Sequence, residues 1–331
     1  MTDTLMIEAQ GLTKRFGPTR ALSGLDVQVP TGSILGVLGP NGAGKTTAIR
    51  ILTTLSIPDS GWARVAGYDV VSDAPAVRRS IGVTAQDATL DELLTGRQNL
   101  VMVGRLSGLR RGDARARASE LLGRFDLTDA ADRVLKGYSG GMRRRLDLAA
   151  GLVTRPPLIF LDEPTTGLDP TSRVRMWTVI RELVADGVTV LLTTQYLDEA
   201  DELADRIAVI DHGHVIASGT SAELKAQTGG ARLEVTLTHS DDDRDAIAAL
   251  GPLVAGAVHV SHDGRRLRAP VRSGAGLASA VVRALDAAGV TVDDVEVHQP
   301  SLDDVFFALT GHPTDEAGVE SLTPDLEAAR A

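Results

Sequence analysis

Short apolar runs that end in glycine or acidic residues, each followed by helical periodicity, recur through the first two thirds of this chain. Ile34 to Leu38 runs into GPNGAGKTT, Leu158 to Leu161 into DEPTTGLDP, and Val188 to Thr194 into QYLDEADELADR. Uninterrupted apolar runs of this length read as strands of a parallel sheet in an α/β domain, and ligands in such sheets bind where the strands end. Between the first two strands, about Asp87 to Thr154 is rich in Leu, Ala and Arg at helical spacing, as in GDARARASELLGRF, and predicts a helical insertion.

After about Lys225 the pattern changes. LEVTLT (Leu233 to Thr238), DRDAIAALG, GAVHVS, RRLRAPV, GLASAVVRALDAAG and VTVDDVEVH read in order as strand, helix, strand, strand, helix, strand, which is a ferredoxin-like α+β order. A short helix follows over Ser301 to Gly311, with Leu302, Val305, Phe306 and Leu309 on one face. The expected organisation is therefore a first domain over residues 1–225, with its helical subdomain at about 87–154, and a small accessory domain over 226–311. An acidic, aromatic-free tail over 312–331 is expected to be disordered.

Composition narrows the function. With 331 residues, 43% of them hydrophobic, the chain has the material for one large core and a smaller second one. The absence of cysteine excludes disulfides and thiolate metal sites, and MTDTLMIEAQ lacks the basic stretch and apolar core of a secretory signal, so a cytoplasmic location is expected. The longest apolar runs are strand-sized, far below the ~20 residues that cross a bilayer. A formal net charge of −10 turns the chain away from nucleic acid, and the basic run Arg143 to Arg145 reads as a solvated helix face.

Three motifs carry chemistry. GPNGAGKT, Gly39 to Thr46, lies between a predicted strand and a predicted helix and fits G-x-x-x-x-G-K-[ST]. Its glycines let backbone N–H groups wrap a β-phosphate, the helix N-terminus adds its dipole, Lys45 offers a compact positive charge to the β- and γ-phosphates, and Thr46 a hydroxyl to Mg2+. In LIFLDEP, Asp162 ends a strand beside that loop, where it holds Mg2+ through water, and Glu163 is placed to accept a proton from the attacking water. YSGGMRRRLDLAAGLV places Ser139, Gly140 and Gly141 at the start of a helix. That arrangement is an ordinary N-cap on its own, and in series with the other two motifs a second phosphate site in the same chain.

With these residues in this order, the sequence resembles an ABC transporter nucleotide-binding domain over about Ile7 to Gly219. Within that family it is similar to the daunorubicin and doxorubicin resistance ATP-binding proteins of actinobacteria, through Leu302 to Pro313. The resemblance implies a P-loop NTPase of the ABC ATPase type, with a mixed sheet and a helical insertion, and ATP and Mg2+ as its ligands. It identifies Gly39 to Thr47 as Walker A, so that Gly39, Asn41, Gly42, Gly44, Lys45, Thr46 and Thr47 hold nucleotide. It makes Ser139 to Met142 the ABC signature, Asp162 the Walker B aspartate and Glu163 the catalytic base. It further assigns Gln86 to the loop that reaches Mg2+ and senses the membrane partner, Asp169 to the D-loop, and Phe16 to the aromatic that stacks on adenine.

Two positions depart from the wider family. Met142 stands where glutamine is usual, which removes one amide near the nucleotide. Gln195 stands where most ABC ATPases carry a histidine, and glutamine donates a hydrogen bond but does not titrate near neutral pH. Glutamine is usual here in the resistance subfamily, so Gln195 is expected to orient the γ-phosphate while Glu163 alone handles the proton. The resemblance also implies an ATP-dependent head-to-tail homodimer and a separate integral membrane permease, with the chain on the cytoplasmic face of the cell membrane and export of an amphipathic drug, antibiotic or lipid as its work. A non-transport ABC ATPase that binds nucleic acid or ribosomes, and a non-hydrolysing regulatory ATP binder, are the alternatives. The accessory domain reads as a dimer-stabilising element or as a cap on its own ATPase domain, with a ligand sensor as the third possibility.

Overall fold

A computed structural model of the chain describes residues 4–84, 90–227, 231–261, 263–271, 276–298 and 301–310. Gln86 and the tail from His312 lie outside the described residues, as does the start of the expected helical insertion.

The first segment runs β1 (Leu5–Phe16), β2 (Thr19–Pro30), β3 (Ile34–Leu38), α1 (Lys45–Leu52), β4 (Ser60–Val65), β5 (Tyr68–Asp69), α2 (Ala74–Ser80) and β6 (Ile81–Thr84). Three helices of the insertion follow, α3 (Gly96–Leu106), α4 (Arg111–Arg124) and α5 (Gly140–Gly151). The chain then returns through β7 (Leu158–Asp162), α6 (Pro170–Ala185), β8 (Thr189–Thr194), α7 (Leu197–Leu203), β9 (Arg206–Asp211), β10 (His214–Gly219) and α8 (Ser221–Gln227).

These strands form two sheets. The larger has the order β10-β9-β3-β8-β7-β6, parallel throughout except for β10, and the smaller, antiparallel one has the order β2-β1-β4-β5. The central strands are buried on both faces, which is why they read as continuous apolar runs. Alternation along β7 divides its side chains between two cores: Ile159 and Leu161 face the core built with the insertion helices and α6, and Leu158 and Phe160 face the one built with α1 and the small sheet. The phosphate loop, the Asp162–Glu163 pair and Gln195 all follow the C-terminal ends of strands β3, β7 and β8, and these three are adjacent in the order β3-β8-β7.

The C-terminal part contains β11 (Ala231–Leu237), α9 (Asp243–Leu250), β12 (His259–Val260), β13 (Arg266–Val271), α10 (Leu277–Ala287), β14 (Val292–His298) and α11 (Leu302–Thr310). Its antiparallel sheet has the order β12-β13-β11-β14, the ferredoxin-like arrangement. Alternate residues of β11, Leu233, Val235 and Leu237, pack with Ala246 and Leu250 of α9 and Val281 and Leu285 of α10, so both helices cover one face.

The last helix does not join that core. Ser301 and Asp304 form a reciprocal cap, in which Asp304 N–H donates to Ser301 Oγ (3.1 Å) and Ser301 N–H donates to Asp304 Oδ2 (2.9 Å). From that cap α11 packs Leu302, Val305 and Phe306 against Leu197 and Ala200 of α7 and Leu224 of α8, in a cluster that reaches Leu38 of β3. Leu309, expected on the same face, is 38% exposed at the helix end. Phe306, by contrast, is 5% exposed. Phe306→Ala is expected to lower the unfolding free energy by about 3 kcal/mol in urea titration, the usual cost of emptying a buried aromatic site. The loss should be read in the transition of the first domain, whose core this ring helps to fill.

Candidate active site

The loop after β3 is shaped by close backbone approach. A Cβ at Gly39 would lie 2.2 Å from the carbonyl of Ile210 on β9, and Gly44, at φ 111°, turns the chain directly into α1 where a Cβ would meet the carbonyl of Ala21 at 2.5 Å. Both positions therefore require glycine. The loop is tied down by Ala43 N–H to the Pro40 carbonyl (3.2 Å) and Gly213 N–H to the Ala43 carbonyl (2.9 Å). The result is a cleft of about 220 Å³ lined by Pro40 to Thr47, Ala21 and Glu163. The first N–H groups of α1 have no partner within the helix, and its first turn carries no acidic residue to compete for them.

Lys45 begins that helix. Only 5% exposed, it donates from Nζ to the carbonyls of Gly39 (2.6 Å) and Pro40 (3.2 Å). Burial lowers the pKa of this ammonium, while the nearby carboxylates of Glu163 and Asp162 act to raise it. The lysine is thus a partly desolvated cation held on neutral acceptors, a state that a phosphate oxygen would relieve.

Asp162 ends β7 and is 6% exposed. Its Oδ1 accepts from the hydroxyl of Thr193, its register partner on β8, at 2.5 Å. Glu163 follows at φ 48°, in the left-handed region, which is strained for a residue with a side chain. Its N–H donates to the Thr193 carbonyl (3.1 Å) and hydroxyl (3.2 Å), and its Oε2 accepts from Thr166 Oγ1 at 3.3 Å. The turn carries the Glu163 side chain to the wall of the Lys45 cleft.

Ser139 is elsewhere. It caps α5, accepting from Met142 N–H at 3.3 Å, and Ser139 and Gly140 are exposed and do not line the cleft. The preceding Tyr138 anchors this cap by donating from Oη to the Ala130 carbonyl at 2.6 Å. Asp169 caps α6 by accepting from Ser172 N–H (2.9 Å) and Oγ (2.6 Å), and Ser172 Oγ lies 3.0 Å from where a Gly141 Cβ would be. The D-loop position and the signature helix are therefore neighbours within one chain. Gln195 is half-buried just past the end of β8, and Phe16 is 48% exposed at the end of β1, with Lys14 Nζ 5.7 Å from its ring centre.

Three features were not legible from the motifs. Thr193 holds both members of the Asp162–Glu163 pair, and as one of three threonines in β8 (TVLLTT) it carries no sequence signal that sets it apart. Glu199, fully buried on α7, accepts from Trp177 Nε1 at 3.2 Å, and burial raises the pKa of its carboxyl group. The arginine run, expected to be a solvated face, is divided: Arg143 makes a solvent-exposed ion pair, while Arg144 and Arg145 are committed to carbonyls of neighbouring segments, because α5 is packed on several sides. Arg143 reaches Glu92 (2.8 Å), Arg145 the Phe125 carbonyl (2.8 Å), and Arg144 the carbonyls of Asp162, Glu163 and Pro164.

Comparison with known proteins places the chain among ATP-binding proteins. Residues 22–166 match the family described as ABC transporter, and residues 219–310 match the family described as ATP-binding protein DrrA1-3-like, C-terminal domain. The chain is 55% identical to the daunorubicin resistance ATP-binding protein DrrA3 of Streptomyces coeruleorubidus, over 94% of this chain and 97% of that protein. It is 51% identical to the daunorubicin/doxorubicin resistance ATP-binding protein DrrA of Streptomyces peucetius, over 98% of each. Among solved structures, a dimeric post-hydrolysis state of an ATP-binding cassette bound to ADP and Pi superposes with a TM-score of 0.60 at 26% identity, covering 65% of this chain and 98% of that one.

One half-buried acid near the site gives a pH signature. Asp147, one turn after Arg144 on α5, is pushed up to about 6 by burial, against the pull of Arg144 and Arg143, and its Oδ1 has no hydrogen-bond partner among the described residues. Because this folded value lies above the unfolded one (~3.9), the folded state binds more protons between them. The Asp147 contribution is therefore fully present below about pH 4 and is lost as pH rises through 6. Asp147→Asn should remove that loss. Its stability advantage over the parent in urea titrations is expected to grow from pH 4.5 to 7.5 by about 1–3 kcal/mol, partial solvent access setting the lower bound. An equal difference at both pH values would contradict the assignment.

Proposed function

This chain belongs to the ABC transporter family of ATP-binding proteins and is an ATP-hydrolysing subunit of that family, and from that premise we propose how its residues divide the work. ATP sits with its β- and γ-phosphates in the Gly39–Thr47 loop against Lys45, with Phe16 against the adenine. Glu163 takes the proton of the attacking water, and Gln195 orients the γ-phosphate. The observation that carries this reading is Glu163 on the wall of the Lys45 cleft, with its backbone held by Thr193.

The residues present also fit Mg2+. Thr46 has an exposed hydroxyl in the first turn of α1, and Asp162 is a buried carboxylate oriented by Thr193, hard oxygen donors of the kind Mg2+ prefers. Among the described residues no group of three or more His, Cys, Asp or Glu is placed to hold a metal by itself, as suits an ion that arrives with substrate phosphates. When bound, Mg2+ would neutralise charge on the β- and γ-phosphates. Gln86 is proposed as a further ligand on the strength of its sequence position alone.

The Ser139–Gly141 helix start, exposed at Ser139 and Gly140, is proposed to meet the γ-phosphate bound by a second copy, which makes the dimer dependent on ATP. Among the described residues no helix is long and apolar enough to cross a membrane, and a separate integral membrane permease is proposed as the partner in transport. The chain would work at the cytoplasmic face, powering efflux of an amphipathic drug, antibiotic or lipid. The names of the relatives, which include a Nod factor export ATP-binding protein of Ralstonia nicotianae at 38% identity, support export. Burial of α11 on α7 and α8 favours the accessory domain as a brace on its own ATPase domain.

Glu163→Gln is expected to lower ATP turnover by at least 100-fold while retaining ATP, and to shift to dimer mass in sizing chromatography with ATP; a variant that stays monomeric would overturn the dimer reading. Gln195→Ala should lower kcat about 10-fold with little change in ATP affinity, and unchanged turnover would remove Gln195 from the mechanism.

A further inference from the structure

Glu163 occupies a left-handed backbone conformation, and such strain persists only where surrounding contacts leave the chain no alternative. In a regular strand successive carbonyls point to opposite sides. Here the carbonyls of Asp162, Glu163 and Pro164 converge on one guanidinium: Arg144 donates from one terminal nitrogen to Asp162 O (2.7 Å) and Glu163 O (2.7 Å), and from Nε to Pro164 O (2.9 Å). The planar fork of arginine matches three acceptors spread along a turn in a way that the single ammonium of lysine does not.

Arg144 sits on the first turns of α5, the helix capped by Ser139. Asp147 faces it from the next turn of the same helix, and the carboxylates of Asp162, Glu163 and Glu199 face it from β7, the catalytic turn and α7. These surrounding charges keep a half-buried guanidinium tolerable beside its carbonyl partners.

We propose that Arg144 is a positioning residue for ATP hydrolysis, clamping the carbonyls of the Asp162–Pro164 turn so that the strained Glu163 backbone holds its carboxylate on the wall of the phosphate cleft. Arg144 touches neither ATP nor the attacking water in this role. Since it shares a helix with Ser139, it also ties the helix start that meets a partner's nucleotide to the catalytic turn of its own site.

The inference rests on the reading of Glu163 as the base, and the test separates the two. Full-length Arg144→Met, Arg144→Lys, Glu163→Gln and Arg144→Met/Glu163→Gln are compared for kcat, KM, binding of a fluorescent ATP analogue and melting temperature. Arg144→Met is expected to lose 10- to 100-fold in kcat, with KM and analogue affinity within about threefold of the parent, and Arg144→Lys to fall between. In the Glu163→Gln background, Arg144→Met should lower turnover no further, because the carboxylate that it positions is already gone. Parent-like kcat in either Arg144 variant would overturn the proposal. So would equal losses of kcat and analogue affinity, or a full further loss in the double variant, since these mark general support of the fold. If Arg144→Met fails to fold, Arg144→Lys decides alone. Parent-like turnover in Glu163→Gln would instead sink the assignment of the base.

Discussion

A lysine ammonium held below the surface on two carbonyls of its own loop is the interaction on which this site depends. Lys45 is 5% exposed and partly desolvated, and the groups within hydrogen-bond distance of it are neutral. The nearest carboxylates, Asp162 and Glu163, pull on its charge through space, while Asp162 is oriented by Thr193. The fold therefore keeps a cation in reserve beside free helix N–H groups, an arrangement completed by phosphate. Sheet order makes it possible. With β3 beside β8 and β8 beside β7, the cation, the paired carboxylates and Gln195 come to adjacent strand ends, and two cores fix those strands from both faces.

The same rigidity sets what the chain lacks. Ser139 caps a helix packed among the insertion helices, is exposed, and does not line the Lys45 cleft. The second phosphate site proposed at this helix start, which does not line the first, would gain its use from a second copy. On the proposed reading α5 would act at two places, its capped start toward the partner's nucleotide and Arg144 on the Asp162–Pro164 turn of its own chain. Helix α11 packs on α7, which begins two residues after Gln195, so the C-terminal part also contacts an element leading from the site.

How much of this was legible depended on whether the signal was local. Buried strands and the phosphate loop write themselves as apolar runs and spaced glycines, and the ferredoxin-like order was readable from alternation, even though β12 is only two residues long. The small antiparallel sheet was not visible. β1 and β2 have one exposed side, and their pairing is broken by register shifts near Gly11, which blurs the alternation that marks a strand. The apolar face of α11 was legible, but not its partner, because a face does not name the surface that covers it. Arg144 was missed for a similar reason: the acceptors on the Asp162–Pro164 turn are backbone carbonyls, identical at every position of the chain, so no residue type signals them.

The central claim is that each ATP is enclosed by the phosphate loop of one copy and the Ser139 helix of another. Lys45→Ala and Ser139→Arg chains, each inactive alone, can be mixed under conditions that let subunits exchange, and ATP turnover measured on the mixture. A mixed dimer pairs the intact loop of the Ser139→Arg chain with the intact helix start of the Lys45→Ala chain, so turnover should rise well above the sum of the two separate proteins. Turnover that stays at that sum, with mixed dimers demonstrated by differential tagging, would contradict the shared site.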